Sequence, residues 1–273
     1  MRYPTVLSIA GSDSCGGAGI QADLKTMSAI GVYGCTAITA ITAQNTTGVR
    51  SVQGVDPSVL KDQIEMVFED LTIDAVKSGM LYNKSSVKVI AETLLKYKPK
   101  HYVLDPVMIS TSGSKLMEDD AIESVKEMLF PLATIITPNL LEAEALSGMP
   151  VRKVEDMQAA AEKLLQLGCK AVLIKGGHLE GDESVDMLFE KGKEGIGVRS
   201  PFVKTKNTHG TGCTLSSAIA SYLAMGEDLK SAFMSAKDYI IHALYGGQEM
   251  EIGHGHGPVD HFFMLPHAKF KDQ

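Results

Sequence analysis

The feature that most constrains this chain is a repeated order of short apolar runs, glycine-containing turns and amphipathic helical segments. Residues 5–10 and 34–43 have the compact apolar composition of buried strands, and a helical pattern over Gly19–Ile30 lies between them. This alternation recurs along the chain and predicts an α/β fold, with a mostly parallel sheet covered by helices on both faces. Ligands bind to such sheets at the carboxyl ends of the strands. We therefore expect the functional residues along that edge.

The same patterns predict the remaining elements. Strands are predicted at residues 73–78, 101–105, 134–137 and 171–175, and a small β-meander at 184–203. Helices are predicted at Pro57–Asp70, Lys84–Tyr97, from about residue 139, and at 155–167, 213–225 and 229–245. The chain contains no linker, low-complexity tract or fixed-period repeat, so residues 1–273 are expected to form a single domain.

Charge and cysteine usage exclude several classes of function. The formal net charge of −7 argues against a nucleic-acid partner or an anionic membrane surface, since both call for basic patches. No apolar stretch reaches the ~18 residues of a membrane span, and the N-terminal apolar run suits a first strand better than a signal peptide. The scattered cysteines form no C-x-x-C pair, which argues against disulfides or a zinc site. We therefore expect a cytoplasmic location.

The first glycine-rich turn, residues 11–19, has three interpretations. Residues 17–22 fit the dinucleotide fingerprint G-x-G-x-x-A, but the second strand runs into Gln44 rather than the acidic residue that holds a ribose. A purely structural loop is a second interpretation. We favour the third, in which the glycines let the backbone approach a ligand over the strand ends. No segment matches a P-loop, so any phosphate must be held elsewhere.

Residues 207–214, Asn-Thr-His-Gly-Thr-Gly-Cys-Thr, give the strongest local signal because they run directly into an apolar helix. Gly210 and Gly212 can turn successive N–H groups inward as an anion nest at a helix N-terminus. Cys213 lies at the helix start, where a thiol pKa is typically lowered, and therefore suits a general base. The alternative is a capped helix with a small buried cysteine.

Polar residues follow the later strands. Asn139 and Glu142 lie three positions apart at a helix start, where they suit Mg²⁺, although an N-cap with its capping-box partner explains both equally well. Asp105 and Lys175 end two other strands, and a lysine there could neutralise phosphate charge. Because parallel strands end at one edge of the sheet, we expect these side chains and the glycine nest to share one cleft.

The glycine-rich segment near the C-terminus contains His254, His256 and His261. Three closely spaced histidines could bind a divalent metal ion. Glycines between them provide no rigid ligand geometry, so a simple connecting segment is the better interpretation.

On these motifs the sequence resembles the hydroxymethylpyrimidine/phosphomethylpyrimidine kinases of thiamine biosynthesis, members of the ribokinase-like superfamily. The matching segments are 16–26, 41–46, 78–80, 105–108, 136–139, 175–178, 207–215 and 257–259. The resemblance implies a ribokinase-like fold, ATP and Mg²⁺, and two successive phosphorylations of the pyrimidine. It also implies a homodimer. Sugar kinases of the superfamily often carry aspartate where this chain has Cys213, and Cys15 stands where a glycine or another small residue is expected.

The resemblance also implies roles for individual residues. The pyrimidine would lie near Gly11, Ala18, Asp23, Gln44, Met80 and Val107. ATP and phosphate would contact Asn139, Lys175, Thr208, Gly210 and Gly212. Cys213 would act as base, aided by Gly210, Thr211, Gly212 and Lys175, and Mg²⁺ would bind Asp105 and Glu142 through water. A pyridoxal kinase of the same fold, a non-catalytic ligand sensor and a nicotinamide oxidoreductase are the alternatives.

Overall fold

The computed structural model describes residues 1–109, 113, 116–180 and 183–265. The strands are β1 (Thr5–Asp13), β2 (Tyr33–Asn45), β3 (Gly48–Gly54), β4 (Ala75–Ser78), β5 (His101–Leu104), β6 (Ile135–Ile136), β7 (Ala171–Glu180), β8 (Glu183–Glu190) and β9 (Ile196–Pro201). The helices are α1 (Gly19–Ile30), α2 (Pro57–Asp70), α3 (Lys84–Tyr97), α4 (Asp119–Ser124), α5 (Leu140–Ser147), α6 (Val154–Leu165), α7 (Thr211–Ala224) and α8 (Leu229–Gly247). A π-helical turn, Val125–Leu129, and a 3₁₀ turn, Phe130–Leu132, follow α4.

The described strands form one nine-stranded sheet in the order β3-β2-β1-β4-β5-β6-β7-β8-β9. Strands β2, β1, β4, β5, β6 and β7 pair in parallel, whereas β3 and the β7-β8-β9 meander pair antiparallel at the two edges. The expected architecture of a mostly parallel sheet with a small meander is therefore confirmed. The connections bring the carboxyl ends of the central strands to one edge.

Side chains along the central strands alternate between two cores, as the period of a strand requires. In β5, Leu104 packs with α2 to α6 on one face, while Val103 packs with α1, α7 and α8 on the other. Val172 and Leu173 divide in the same way in β7. Both faces are therefore buried, which explains why these strands are apolar throughout. None of the described helices has both the length and the apolar content that crossing a membrane would require.

Helices α1, α2 and α3 have the predicted bounds, and α1 ends at Gly31 in a left-handed conformation with φ 93°. The prediction that the first loop starts at Gly11 is wrong, because Ser12 and Asp13 continue β1 after a bulge and pair with β2. Strand β3 and helix α4 are not among the predicted elements. Strand β3 lies at the edge of the sheet and contains Arg50, Ser51 and Gln53, so it lacks the apolar signal of a central strand.

Candidate active site

A cleft runs along the carboxyl edge of the sheet, between the start of α7 and the meander. All but one of the residues given site roles from the sequence line it. These are Gly11, Ala18, Gln44, Met80, Asp105, Val107, Asn139, Glu142, Lys175, Thr208, Gly210, Thr211, Gly212 and Cys213. The exception is Asp23.

The helix α7 starts at the cleft without a side-chain cap. Its N-cap residue is Gly210, in a left-handed conformation with φ 81° and ψ 4°. A Cβ atom at this position would overlap the carbonyl oxygen of Gly17, so both the conformation and the space require glycine. Thr211 donates a hydrogen bond from Oγ1 to the Thr208 carbonyl at 2.7 Å and fixes the turn. The Thr211 amide also donates to the Thr208 carbonyl, at 3.2 Å, so the amides of Gly212 and Cys213, at the positive dipole end of α7, are the ones available to an anion.

Lys175 lies against this helix start. A Cβ atom on Gly212 would lie 3.3 Å from Lys175 Nζ and 3.6 Å from Asp105 Oδ2. Lys175 Nζ is 2.8 Å from Asp105 Oδ1, and Thr137 Oγ1 donates to the same oxygen at 3.0 Å. Burial opposes ionisation of Asp105, but the charge of Lys175 and other donors outweigh it and hold the pKa below its usual value. A fixed ion pair therefore borders the helix N-terminus.

Asn139 and Glu142 form a capping box at the start of α5. The Glu142 amide donates to Asn139 Oδ1 at 2.9 Å, and the Asn139 amide donates to Glu142 Oε2 at 2.8 Å. The capping interpretation is therefore confirmed. Glu142 is nevertheless at the cleft, and burial raises its pKa to about 7, against the opposing charge of Lys175. A carboxylate with one oxygen engaged in the cap can still serve a second partner.

The opposite end of the cleft contains Gln44. Thr42 Oγ1 donates to Gln44 Oε1 at 3.2 Å, and Gln44 Nε2 lies 3.4 Å from His209 Nε2. His209 Nε2 is also 2.8 Å from Asp13 Oδ2, an oxygen that can only accept when the carboxylate is ionised. The histidine nitrogen therefore donates to Asp13, and the Gln44 amide nitrogen has no acceptor there. Its N–H groups are available to a ligand.

Asp13 and His209 are site residues that the sequence did not reveal. Asp13 also accepts hydrogen bonds from the amides of Cys15, Gly17 and Ala18 at 2.8, 3.0 and 2.9 Å, and so folds the glycine turn around its carboxylate. Burial opposes ionisation of Asp13, but these bonds and His209 lower its pKa. Both residues lie inside the two motifs identified from the sequence. Their separation of 196 positions hides the contact between them.

Towards the meander the cleft is mainly apolar. Val203, Ile240 and Leu244 line this part. An ion pair also lines the cleft, with Lys237 Nζ at 2.7 Å from Asp186 Oδ2. This end suits a flat apolar group, whereas the end with Gln44 suits a ligand with donors and acceptors.

Comparison with known proteins identifies the family. Residues 13–260 match the family model described as phosphomethylpyrimidine kinase. The chain belongs to this family.

Relatives agree with this kinase family over most of the chain. The chain is 48% identical over 267 residues to the hydroxymethylpyrimidine/phosphomethylpyrimidine kinase of Rhizobium meliloti, covering 97% of this chain and 98% of that protein. It is 49% identical to the thiamine biosynthesis bifunctional protein ThiED of Geobacter sulfurreducens but spans only 52% of that protein's length. The chain thus spans nearly the whole of the first relative and about half of the second.

Two solved structures share the fold. The phosphomethylpyrimidine kinase of Clostridium difficile 630 superimposes with a TM-score of 0.78 at 51% identity, covering 88% of this chain and 99% of that one. Pyridoxal kinase of Bacillus subtilis in complex with ADP superimposes with a TM-score of 0.89 at 37% identity, covering 97% and 100%. The fold is therefore shared by kinases that are named for two different ring substrates.

The prediction that Asp23 lies beside the ligand is wrong. Asp23 does not line the cleft; its side chain is fully buried beneath it. Both of its oxygens accept hydrogen bonds from Lys77 Nζ, at 2.8 and 2.9 Å. A ligand in the cleft therefore meets Gln44 but not Asp23.

The expected lowering of the Cys213 pKa is also wrong. Cys213 lines the cleft at the start of α7, but burial raises its pKa to about 11, although the charge of Lys77 opposes this rise. The loss of solvation of a thiolate outweighs the helix dipole here. Any basic role for Cys213 therefore needs help from neighbouring positive charge.

The histidine-rich segment has a structural role. The His256 amide donates to the Thr46 carbonyl at 2.9 Å, and His261 Nε2 lies 3.0 Å from Thr214 Oγ1 in the first turn of α7. The Gly257 carbonyl accepts from the His209 amide at 3.0 Å. Among the residues with described side chains, no group of three or more His, Cys, Asp or Glu could hold a metal ion. The segment thus connects β2, His209 and α7.

Proposed function

We propose that this chain transfers the γ-phosphoryl group of ATP to 4-amino-5-hydroxymethyl-2-methylpyrimidine and then to the resulting monophosphate, yielding the diphosphate used in thiamine biosynthesis. The observation that carries this proposal is the uncapped start of α7, which faces Lys175 in the cleft that also contains Gln44. An anion site and a site for a polar ring thus share one cavity. The names of the relatives support the same assignment.

The acceptor would lie between Gly11, Ala18, Met80 and Val107, with Gln44 at its edge. The Gln44 amide has donors available and a carbonyl oxygen, so it can pair with the amino group and ring nitrogen of an aminopyrimidine. Met80 can cover a ring face, because its sulfur would lie only 2.8 Å from a Cβ on Gly11 and therefore packs directly over that glycine. A side chain at position 11 would displace this cover.

Asn139, Lys175, Thr208, Gly210 and Gly212 would hold the phosphates of ATP. The amides of α7 and the Lys175 ammonium would stabilise charge on the transferring phosphoryl group, whose transition state spreads that charge over its equatorial oxygens. Asn139 and Thr208 line the same cleft. The apolar end near Ile240 would take the nucleotide base.

The residues present fit Mg²⁺ held through water. Asp105 and Glu142 are hard oxygen donors on one wall of the cleft, and each already has a protein partner. Mg²⁺ usually keeps several waters and takes phosphate oxygens, so it does not need a cage made only of protein ligands. When bound, Mg²⁺ would neutralise charge on the phosphates.

Cys213, as a thiolate, would accept the proton of the hydroxymethyl group in the first transfer. The second acceptor is a phosphate that is already ionised near neutral pH, so it needs little help from a base. Cys213→Ala should therefore slow the first transfer on the order of 10²-fold and the second much less. The test is to measure both half-reactions separately by mass spectrometry of the products. Equal losses in the two steps would contradict the base assignment.

The similarity to pyridoxal kinase supports a second candidate, pyridoxal phosphorylation by the same site. Pyridoxal also presents a hydroxymethyl group on an aromatic nitrogen ring, but it has no counterpart of the diphosphate-forming step. Turnover of hydroxymethylpyrimidine, its monophosphate and pyridoxal with ATP and Mg²⁺ should be compared. Product from pyridoxal alone would replace the main proposal.

We also propose that residues 1–273 act as a single domain, in a cytoplasmic homodimer. The resemblance to the family supports the dimer, and the unpaired cysteines are compatible with a reducing compartment. Sedimentation equilibrium at several protein concentrations tests the oligomeric state. A mass of 29.3 kDa at all of them would identify a monomer.

A further inference from the structure

A fully buried lysine lies beneath the cleft without an assigned role. Lys77 is on β4, its side chain is 0% exposed, and its carboxylate partner Asp23 is 0% exposed as well. Burying a charged pair is costly, and a well-packed apolar pair is often as stable or more stable. The pair therefore calls for a reason other than stability.

Asp23 ties this lysine to the helix that carries Cys213. Ser217 Oγ on α7 donates to Asp23 Oδ1 at 2.7 Å, and Ser8 Oγ donates to Asp23 Oδ2 at 2.5 Å. Cys213 precedes Ser217 by four residues and so lies on the same face of α7, one turn towards the cleft. Asp23 and Lys77 thus lie below that face.

The Lys77 ammonium has donor capacity to spare. It has three N–H donors, and two of its hydrogen bonds go to the oxygens of Asp23. The third has no acceptor among the residues that the structure describes. The tip of Lys77 lies close to the cleft side of β4, since a Cβ on Gly79 would be 3.1 Å from Nζ.

Four charged groups act on the Cys213 thiol from the surrounding elements. They are Lys77 on β4, Asp23 on α1, Asp105 after β5 and Lys175 on β7. Lys175 is already paired with Asp105 and borders the proposed phosphate site. Lys77 is the strongest of the influences that favour a thiolate, and Asp23 opposes it.

We propose that Lys77 is the counter-ion of the Cys213 thiolate, and that Asp23 holds its ammonium group in position. Lys77 is thus a positioning residue for the first phosphoryl transfer, an inference that rests on the role proposed for Cys213. This role explains how a buried cysteine can act as a base, because the Lys77 ammonium on β4 supplies the positive charge that stabilises its thiolate.

The test is alkylation of Cys213 by iodoacetamide in the substrate-free protein, measured by peptide mass spectrometry at several pH values between about 7 and 10. Lys77→Met should slow alkylation of Cys213 about tenfold at a given pH, since it removes the favourable charge. Asp23→Asn should accelerate it about tenfold, because it removes the carboxylate that offsets the charge of Lys77 and opposes the thiolate. Cys15, whose pKa depends on burial, Asp13 and Lys25, is the internal control within the same digests.

The opposite signs separate this inference from a structural role, because loss of packing would move both variants in the same direction. Changes of the same sign, or no change at Cys213, would overturn it. If Lys77→Met does not fold, the double variant Asp23→Asn/Lys77→Met leaves no unpaired buried charge, and it should alkylate about tenfold more slowly than Asp23→Asn alone, because only Lys77 differs between the two. Because alkylation needs no substrate, shifted reactivity with an unchanged first transfer would reject Cys213 as base while keeping Lys77 as its counter-ion.

Discussion

The helices α5 and α7 both begin at the cleft, but their N-termini differ. At the start of α5, the side chains of Asn139 and Glu142 each accept a hydrogen bond from the other's backbone amide, so these two amides already have partners. Helix α7 begins at Gly210 with no side-chain cap. The first four amides of a helix lack partners within it; at α7 the Thr211 amide donates to the Thr208 carbonyl, and the amides of Gly212 and Cys213 are left to solvent or to a ligand. The difference supports the proposal that α7 holds the phosphate through its amides, while α5 presents side chains.

The largest effect is expected for Gly210→Ala, which adds a Cβ that would overlap the Gly17 carbonyl and disfavours the φ of 81°. The start of α7 must shift, and loss of one anion-hole donor typically costs on the order of 10²–10³-fold in kcat. Steady-state kinetics with ATP and the pyrimidine measure the loss. The matched control is Gly148→Ala at the end of α5. Gly148 has φ 67°, but a Cβ atom there would meet only Lys163 Nζ, at 3.8 Å.

This control should cost about 1 kcal/mol of stability and leave kcat unchanged, since it strains the backbone away from the cleft. If both alanine variants lost activity equally, backbone strain rather than the amides of α7 would be responsible. The comparison of the two helices would then lose its main support.

Acid should weaken the first turn of α7 through His261. Burial and the charge of Lys25 lower the pKa of this side chain from 6.5 to about 4. The unfolded chain takes up the proton below about pH 6.5, but the folded chain does so only near pH 4. Stability should be full above pH 6.5 and fall by about 3 kcal/mol as the pH approaches 4.

Urea unfolding of the wild type and of His261→Gln at pH 7, 5.5 and 4.5 measures this loss. The variant should show a flatter dependence of the free energy of unfolding on pH, because glutamine does not titrate. Parallel curves for the two proteins would show that His261 does not cause the acid sensitivity.

Glu142 separates capping from ligand binding at α5. Glutamine also serves as the third residue of a capping box, so Glu142→Gln should retain the melting temperature while losing the charge. We expect a 10–100-fold weaker apparent affinity for Mg²⁺ in the activity assay, about the cost of removing an outer-sphere group. Glu142→Ala should lose about 1 kcal/mol of stability in addition. If the activity of Glu142→Gln rose with Mg²⁺ concentration as it does in the wild type, Glu142 would serve only as a cap.

The smallest effect concerns Asn139. Asn139→Ala should lower the free energy of unfolding by about 1 kcal/mol, and Asn139→Ser should restore most of it because serine also caps well. Asn83→Ala removes the comparable cap of α3, where the Asn83 side chain accepts a hydrogen bond from the Ser86 amide. The two alanine variants should be equally destabilised, but only the one at position 139 should raise the KM for ATP. Equal KM values would argue against a role for Asn139 in phosphate binding.

The sequence predicts the position of the site better than its electrostatics. Apolar runs ending in Asp105, Asn139 and Lys175 are visible in the sequence, because strand ends and polar residues leave a local signal. The link between Lys77 and Asp23 is not visible, since a lysine within an apolar strand does not indicate its partner. The same holds for Cys213, whose pKa depends on burial by distant elements rather than on its own helix.

The contacts between Asp13 and His209 and between Thr46 and Gly255 join positions 196 and 209 residues apart. A growing chain on the ribosome therefore cannot complete these contacts, at the acceptor end proposed for the cleft, until Gly255 has emerged. Contacts of such long sequence separation form slowly, because a large loop must close before they stabilise anything. Nascent chains should thus acquire most of the sheet before they can bind the pyrimidine.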